Sequence, residues 1–286
     1  MLNEKDRKPW IAGLLNLLNI GLGHIYTGYA KKGILLFVLG QGAMLSVFLP
    51  LIYYFPTIAS FGIAMLCALA FLGYCIYDAV KLAKRRRHGY PLKRYNKWYV
   101  YLGCWILASF ILQPIVSTVI KAYVVQGYKI PSASSKPTLL IGDYILARKS
   151  FAARQEIKRG DLIIFPLPHD PSKDFIKRVV AMGGESIEIL DKKLFINGNI
   201  VQEPHVIFTD PKILPKDYGP RDNLGPLTIP EDALFVMGDN RDQSNDSRFF
   251  GLIKKTTVKG KACSIYWSWD KENFKIRWDR IGKTFE

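Results

Sequence analysis

The sequence predicts a chain in two unlike parts: N-terminal transmembrane α-helices followed by an all-β domain built as a coiled sheet or barrel. Three observations carry that prediction. Apolar runs of bilayer length fill the stretch before residue 121, which holds +10 of the formal charge of +16. Beyond it the charges mix in sign and the apolar runs become short. Gly, Pro, Asn and Asp punctuate those short runs, the pattern of many-stranded antiparallel domains.

In chain order, Lys5, Arg7 and Lys8 precede the first apolar run, Trp10–Tyr26, which is interrupted by Asn16, Asn19, Gly21, Gly23 and His24. Such a run is too short and too polar for a regular span, so residues 1–33 read as a basic N-terminus with an interfacial or re-entrant segment. His24 reads as a packing partner within it. Ile34–Phe55, Ile58–Val80 and Trp98–Ile120 are apolar over about 22 residues each, enough to cross a bilayer. Residues 34–120 are thus expected to hold three transmembrane helices. Asp78, near the end of the second, reads as an interface residue. The intervening loop 81–97 carries eight Lys/Arg and no acid, which places it in the cytoplasm. Its position between two spans argues against a nucleic-acid patch. The third span then carries the chain outward, so 121–286 is expected outside. The basic start runs straight into further spans, unlike a cleaved leader, and reads as a retained anchor.

Cysteine usage adds little. Cys67, Cys75 and Cys104 lie in apolar runs and Cys263 stands alone, so no disulfide framework is expected. The four histidines show no ligand spacing, and neither a metal nor another cofactor is expected.

In the second part, Tyr144–Ala147, Leu162–Phe165, Phe175–Val180, Ser186–Ile189, Leu194–Ile196, Leu234–Val236 and Ser264–Trp267 read as strands. Asn197-Gly198 is a two-residue hairpin signal between Leu194–Ile196 and Ile200-Val201. Glu203–Pro230, rich in Pro, Asp and Gly, reads as a long loop or small subdomain.

Three segments carry chemistry. Ile130-Pro131-Ser132-Ala133-Ser134-Ser135-Lys136-Pro137-Thr138-Leu139 offers three serines as nucleophiles, and serine needs a nearby base. His169 and His205 sit in Pro-flanked loops and leave a Ser-His-Asp arrangement open. Lys177 is the stronger base. Within Asp174-Phe175-Ile176-Lys177-Arg178-Val179-Val180 it projects from an apolar strand, and burial lowers a lysine pKa by disfavouring the charged form. The competing reading is an edge lysine paired with Asp174. The third segment, Gly238–Arg248, is either a locally capped Asx-rich turn or a support loop. In the second case Ser244 orients the lysine amine, while Asp239–Arg178 and Asp246–Arg248 pairs hold the loop.

Pro-Ser-x-Ser-x-x-Pro-Thr-Leu, Ile-Lys-Arg and Gly-Asp-Asn-Arg-Asp-x-Ser-x-Asp-Ser-Arg, in that order, resemble bacterial type I signal peptidase of the S26 family. The resemblance covers Gln126–Lys283, including Ile276-Arg277-Trp278-Asp279-Arg280. It implies a signal-peptidase-like all-β catalytic domain with Ser134 as nucleophile and Lys177 as general base. Ser132 and the Ser134 backbone N–H would form the oxyanion hole, and Ser244 would orient the lysine. One position departs from the pattern: the residue after the nucleophile, usually Met, is Ser135. That residue borders the pocket for the side chain before the cut, whose shape is therefore in question. The multi-span N-terminal part departs as well, because one or two spans are usual.

The implied reaction is endoproteolysis of exported preproteins at the outer face of the bacterial cytoplasmic membrane. Signal peptides would lie extended along Tyr128–Pro131 and Asp174–Ile176. Pockets lined by Ile130, Leu139, Phe175 and Ile176, bordered by Pro131 and Ser135, would select small residues. Preproteins, membrane lipid and the export channel are the implied partners, and nucleic acid is not one. The alternative is a catalytically silent membrane scaffold or export accessory. Penicillin-binding proteins need Ser-x-x-Lys, and the position before Lys136 that would supply the serine is Ala133.

Overall fold

The computed structural model describes residues 4–43, 58–86, 90–149 and 156–285, which divide into two compact units, Met1–Val119 and Ile120–Glu286. In the first, β1 (Glu4–Lys5) pairs antiparallel with β2 (Tyr90–Pro91). Between them come α1 (Pro9–Leu18), α2 (Leu22–Tyr26), α3 (Ala30–Ala43) and α4 (Ile58–Arg85). Pro9 opens α1, where its missing N–H is not needed. The first apolar run is broken at Asn19–Gly21, so it forms two short helices rather than one. Asn16 explains the break. Its Oδ1 accepts the N–H groups of Gly21 and Gly23 at 3.0 Å each, while its Nδ2 donates to the Cys75 carbonyl at 2.6 Å. Gly21 has φ +95°, and a Cβ there would collide with the Gly33 carbonyl.

Asp78 does more than mark an interface. It accepts from His24 Nε2 at 2.9 Å and pairs with Lys32 at 2.6 Å, pinning α2 and α3 to α4. After β2, α5 (Trp98–Ile106), a π-helical stretch (Leu107–Leu112) and α6 (Gln113–Tyr123) follow. Among the described residues, two helices are long and apolar enough to cross a membrane by length and composition, Gly62–Arg85 and Trp98–Tyr123. Residues 44–55 of the expected span Ile34–Phe55 lie outside the described residues, as do 87–89 of the basic loop.

The strands of the second unit pair antiparallel throughout. Its strands are β3 (Val125–Lys129), β4 (Asp143–Arg148), β5 (Leu162–Leu167), β6 (Asp170–Met182), β7 (Ser186–Leu190), β8 (Lys193–Ile196) and β9 (Asn199–Ile200). After the long loop come β10 (Leu224–Thr228), β11 (Ala233–Met237), a short helix α7 (Ser247–Phe250), β12 (Ile253–Lys254), β13 (Gly260–Asp270) and β14 (Lys275–Ile276). The large sheet runs β12-β11-β6-β5-β13-β4-β3, and a smaller one runs β10-β7-β8-β9.

Strand β5 shows why its sequence is a continuous apolar run. Leu162 and Ile164 enter one cluster with Ile130, Leu139, Ile145 and Ile265, while Ile163 and Phe165 enter another with Val179, Leu234 and Val236. Both faces of the sheet are covered there. Asn197 and Gly198 take φ +52° and +77° in the β8–β9 hairpin, as the pair predicts. The β7–β8 turn uses Asp191 and Lys192 at φ +47° and +67°, residues that give no such signal. Strand β6 is longer than its apolar run because Asp174 and Phe175 continue the ladder opposite Pro166 and Phe165.

Candidate active site

Four segments of the second unit converge. The loop between β3 and β4 carries the three serines and is closed at its base by Ile130, whose N–H donates to the Asp143 carbonyl at 2.8 Å. At its tip the Ser134 carbonyl accepts the Asn240 N–H at 3.1 Å and the Ala133 carbonyl accepts Asn240 Nδ2 at 3.3 Å. The loop after β11 thereby clamps the backbone beside Ser134. Gly238 permits the approach, because a Cβ there would collide with both the Ser134 carbonyl and Ser244 Oγ.

Lys177 lies mid-β6, in register with Ile163 of β5, and is 3% exposed. Its Nζ donates to Ser134 Oγ at 2.7 Å, and Ser132 Oγ lies 3.3 Å from Ser134 Oγ. Burial pushes the Lys177 pKa down to about 8, against the opposing pull of the Asp246 and Asp239 carboxylates; the Arg248 charge lowers it further. Asp174 is not its partner: that carboxylate pairs with Lys259 at 2.6 Å. The Phe175 ring lies 5.3 Å from Nζ.

Arg178 grips Asp239 through two bonds, Nε to Oδ1 at 2.8 Å and Nη2 to Oδ2 at 2.7 Å. Asp239 also accepts from Thr138 Oγ1 at 2.5 Å, tying the serine loop to the same carboxylate. Arg248 grips Asp246 at 2.9 Å through both Nε and Nη2. Asp246 Oδ2 in turn accepts the Gly238 N–H at 3.1 Å. Ser244 is buried within this loop, and its Oγ has no hydrogen-bond partner among the described residues, Lys177 included.

Of the residues expected to line the peptide path, Ile130, Leu139 and Ile176 share one apolar cluster, whereas Phe175 packs into the other. Pro131 is exposed. Ser135 is buried, its carbonyl accepting the Leu139 N–H at 2.8 Å and its hydroxyl unpartnered among the described residues. His169 is exposed, and His205 Nε2 lies 3.9 Å from Asp239 Oδ1. Burial, the largest influence, lowers the His205 pKa.

Sequence reasoning missed three supports. Asn240 holds the Ser134 backbone as described. Arg280 donates to the Thr138 carbonyl at 2.7 Å and pairs with buried Asp143 at 2.7 Å. Arg241 bonds the Gly238 carbonyl at 3.3 Å and Glu203 at 2.5 Å. Asn240 and Arg241 lie inside the Gly-Asp-Asn-Arg run and Arg280 in the terminal Arg-containing run, but which carbonyl each reaches depends on the tertiary fold.

This geometry can be compared with known proteins. The family model described as signal peptidase, peptidase S26, matches residues 102–267. Signal peptidase I of Aquifex aeolicus is 32% identical over 200 residues, covering 52% of this chain and 78% of that protein. Signal peptidase I of Pseudomonas fluorescens is 32% identical over 203 residues, covering 56% and 71%. Signal peptidase I P of Bacillus subtilis subsp. natto is 31% identical over 153 residues, covering 53% and 82%. A crystal structure of a signal peptidase I from Enterococcus faecalis is 31% identical, with a TM-score of 0.32, and covers 37% of this chain and 96% of that one.

Proposed function

The chain belongs to the signal peptidase, peptidase S26, family, and on that premise we propose that Ser134 and Lys177 carry its reaction as a nucleophile and general base. The reaction itself is serine endoproteolysis that removes signal peptides from preproteins. The single observation that carries the residue assignment is the 2.7 Å contact between Lys177 Nζ and Ser134 Oγ, made by a lysine with no carboxylate partner among the described residues.

A neutral amine at that distance accepts the Ser134 proton as Oγ attacks the scissile carbonyl. At pH 8 a lysine of pKa about 8 is roughly half neutral, whereas an unperturbed one is neutral to well under about 1%. The developing oxyanion lies between the Ser132 hydroxyl and the Ser134 N–H, supported by the placement of Ser132 Oγ 3.3 Å from the nucleophile. The lysine then returns its proton to the leaving amine, and water, activated in the same way, hydrolyses the acyl-enzyme. Asp239–Arg178 and Asp246–Arg248 keep the serine loop and β6 at this separation. Ser244, buried next to Gly238, is the hydroxyl suited to accept an N–H of the neutral amine, which leaves the lone pair free for the Ser134 proton.

Ile130, Leu139 and Ile176 supply the apolar wall for small residues before the cut, with Pro131 and Ser135 at its border and Asp174 and Phe175 on the strand along which the peptide extends. We further infer a membrane-bound, multi-pass anchor with the β unit on the outer face of the cytoplasmic membrane. Gly62–Arg85 and Trp98–Tyr123 support it by length, and the basic loop supports the orientation. At about 1.5 Å per residue, α1 is about half the bilayer core, which supports an interfacial or re-entrant first segment. Export-channel contact is part of the same proposal.

The test is cleavage of a preprotein by the detergent-solubilised chain. Ser134→Ala and Lys177→Ala are expected to lose cleavage at least a thousandfold. Cleavage by Ser134→Ala at the parent rate overturns the assignment, and an inactive parent favours a silent scaffold.

A further inference from the structure

The first unit contains a built cationic cavity that the proteolytic reading does not use. It measures about 450 Å³ and is lined by Gly28, Tyr29, Lys31, Lys32, Lys93 and Tyr95, with Ala30 between. Three cationic side chains thus share one opening. Asp78 balances Lys32 at 2.6 Å, but among the described residues no carboxylate pairs with Lys31 or Lys93.

The cavity is held in shape by the basic loop itself. Tyr95 Oη donates to the Gly28 carbonyl at 2.9 Å, Asn96 Nδ2 to the Ile25 carbonyl at 2.9 Å, and Arg86 Nη1 to the Thr27 carbonyl at 3.0 Å. Next to it, aromatic rings and guanidinium groups alternate. Arg86 lies 4.1 Å from the Tyr29 ring and 4.9 Å from the Tyr90 ring, and Arg7 lies 4.7 Å from Tyr90 and 4.6 Å from Tyr26. Arg7 is 4% exposed, and its Nε and Nη2 have no hydrogen-bond partner among the described residues. Cation–π contact offsets part of the desolvation of these groups, and this end of the unit is rich in cationic side chains.

Helix α3 indicates the form of anion that fits the cavity. Lys31 is followed at helical spacing by Ile34, Leu35, Val38 and Leu39, all of which are exposed. A cationic rim continuing into an uncovered apolar stripe matches an amphiphile: an anionic headgroup in the cavity with acyl chains along α3. A free phosphate satisfies the rim but leaves the stripe bare.

We propose that this cavity binds the headgroup of an acidic glycerophospholipid, with Lys31 and Lys93 on its phosphate and Tyr29 and Tyr95 as walls. The proposal rests on the membrane-bound reading above, and it assigns the basic loop a lipid-binding site in addition to its role in orientation.

The test uses the full chain in detergent and measures retention of phosphatidylglycerol, phosphatidylcholine and inorganic phosphate by native mass spectrometry. The parent is expected to hold phosphatidylglycerol at least about tenfold more tightly than phosphatidylcholine. Basic side chains at an anionic lipid surface each contribute about fivefold, so the double variant Lys31→Gln, Lys93→Gln should weaken phosphatidylglycerol binding roughly twenty-fivefold. Lys31→Arg with Lys93→Arg should keep it, which separates lost charge from lost folding. Equal retention of both lipids, or no change in the Gln variant, overturns the proposal. Displacement of the lipid by millimolar inorganic phosphate reassigns the cavity to a soluble anion and also overturns it. Carbonate extraction of cell membranes separates the two levels: a chain that stays in the membrane yet shows no lipid preference sinks only the cavity, whereas release into the soluble fraction sinks the membrane reading.

Discussion

Lys177→Met is expected to abolish cleavage and, at neutral pH, to raise stability. The magnitude follows from the site. A lysine pKa depressed from 10.5 to about 8 corresponds to about 3 kcal/mol disfavouring the buried ammonium, at ~1.4 kcal/mol per unit. Methionine is of similar length and carries no charge to desolvate, but it forfeits the bond to Ser134, worth about 1 kcal/mol. The net gain is about 2 kcal/mol, which for a unit of this size raises the melting temperature by about 4–8 °C. The pH dependence has a definite sign. Below pH 8 both the folded and unfolded states hold the proton, and the folded state bears the full destabilisation. Between pH 8 and 10.5 the unfolded chain binds more protons, so parent stability rises relative to the variant. The assay is calorimetric unfolding of parent and variant in the same detergent at pH 7 and near pH 10.5. A variant less stable than the parent at pH 7, or a difference that does not change with pH, refutes the buried-ammonium argument.

Two further outcomes follow from single contacts. Ser135→Ala removes a buried hydroxyl with no hydrogen-bond partner among the described residues, so it should keep full cleavage and gain about 1 kcal/mol, read as a higher melting temperature. Lost cleavage there would instead favour Ser135 as nucleophile. Arg280→Ala leaves the buried Asp143 carboxylate without its ion pair, still accepting from Ser268 Oγ at 2.6 Å and the Leu140 N–H at 2.8 Å, and frees the Thr138 carbonyl, costing about 3 kcal/mol. It should lower the melting temperature by about 6 °C or more and slow cleavage through loosening of the serine loop.

The β architecture was legible where local pattern and tertiary burial agree. The Leu162–Phe165 run, buried on both faces, and the Asn197-Gly198 turn are such cases. The Asp191-Lys192 turn was not, because Lys192 does not favour positive φ and no glycine follows Asp191. It is set by the strand pairing around it and by Lys192, which bonds Asp242 at 2.9 Å across fifty residues. The site divides in the same way. Lys177 could be picked out because a charge inside an apolar strand is a local anomaly. That Asp174 would pair with Lys259 rather than Lys177 depends on a side-chain contact between residues eighty-five apart, brought together because β6 and β13 both pair with β5. The Asn240 clamp and the Arg280 brace were hidden for the same reason: both act on backbone carbonyls, which carry no sequence signature. In the first unit, Asp78 reads as an interface residue until α2 and α3 fold back to bring His24 and Lys32 against it.

The central claim is that a buried neutral lysine is the base, and the pH dependence of kcat/KM on a preprotein tests it most directly. Because only the neutral amine accepts the Ser134 proton, activity should fall as pH drops through a single midpoint of about 8. A midpoint near 10.5 would mean that burial does not tune Lys177, and one below about 6.5 would hand the role to a half-buried histidine such as His205. Either result contradicts the account.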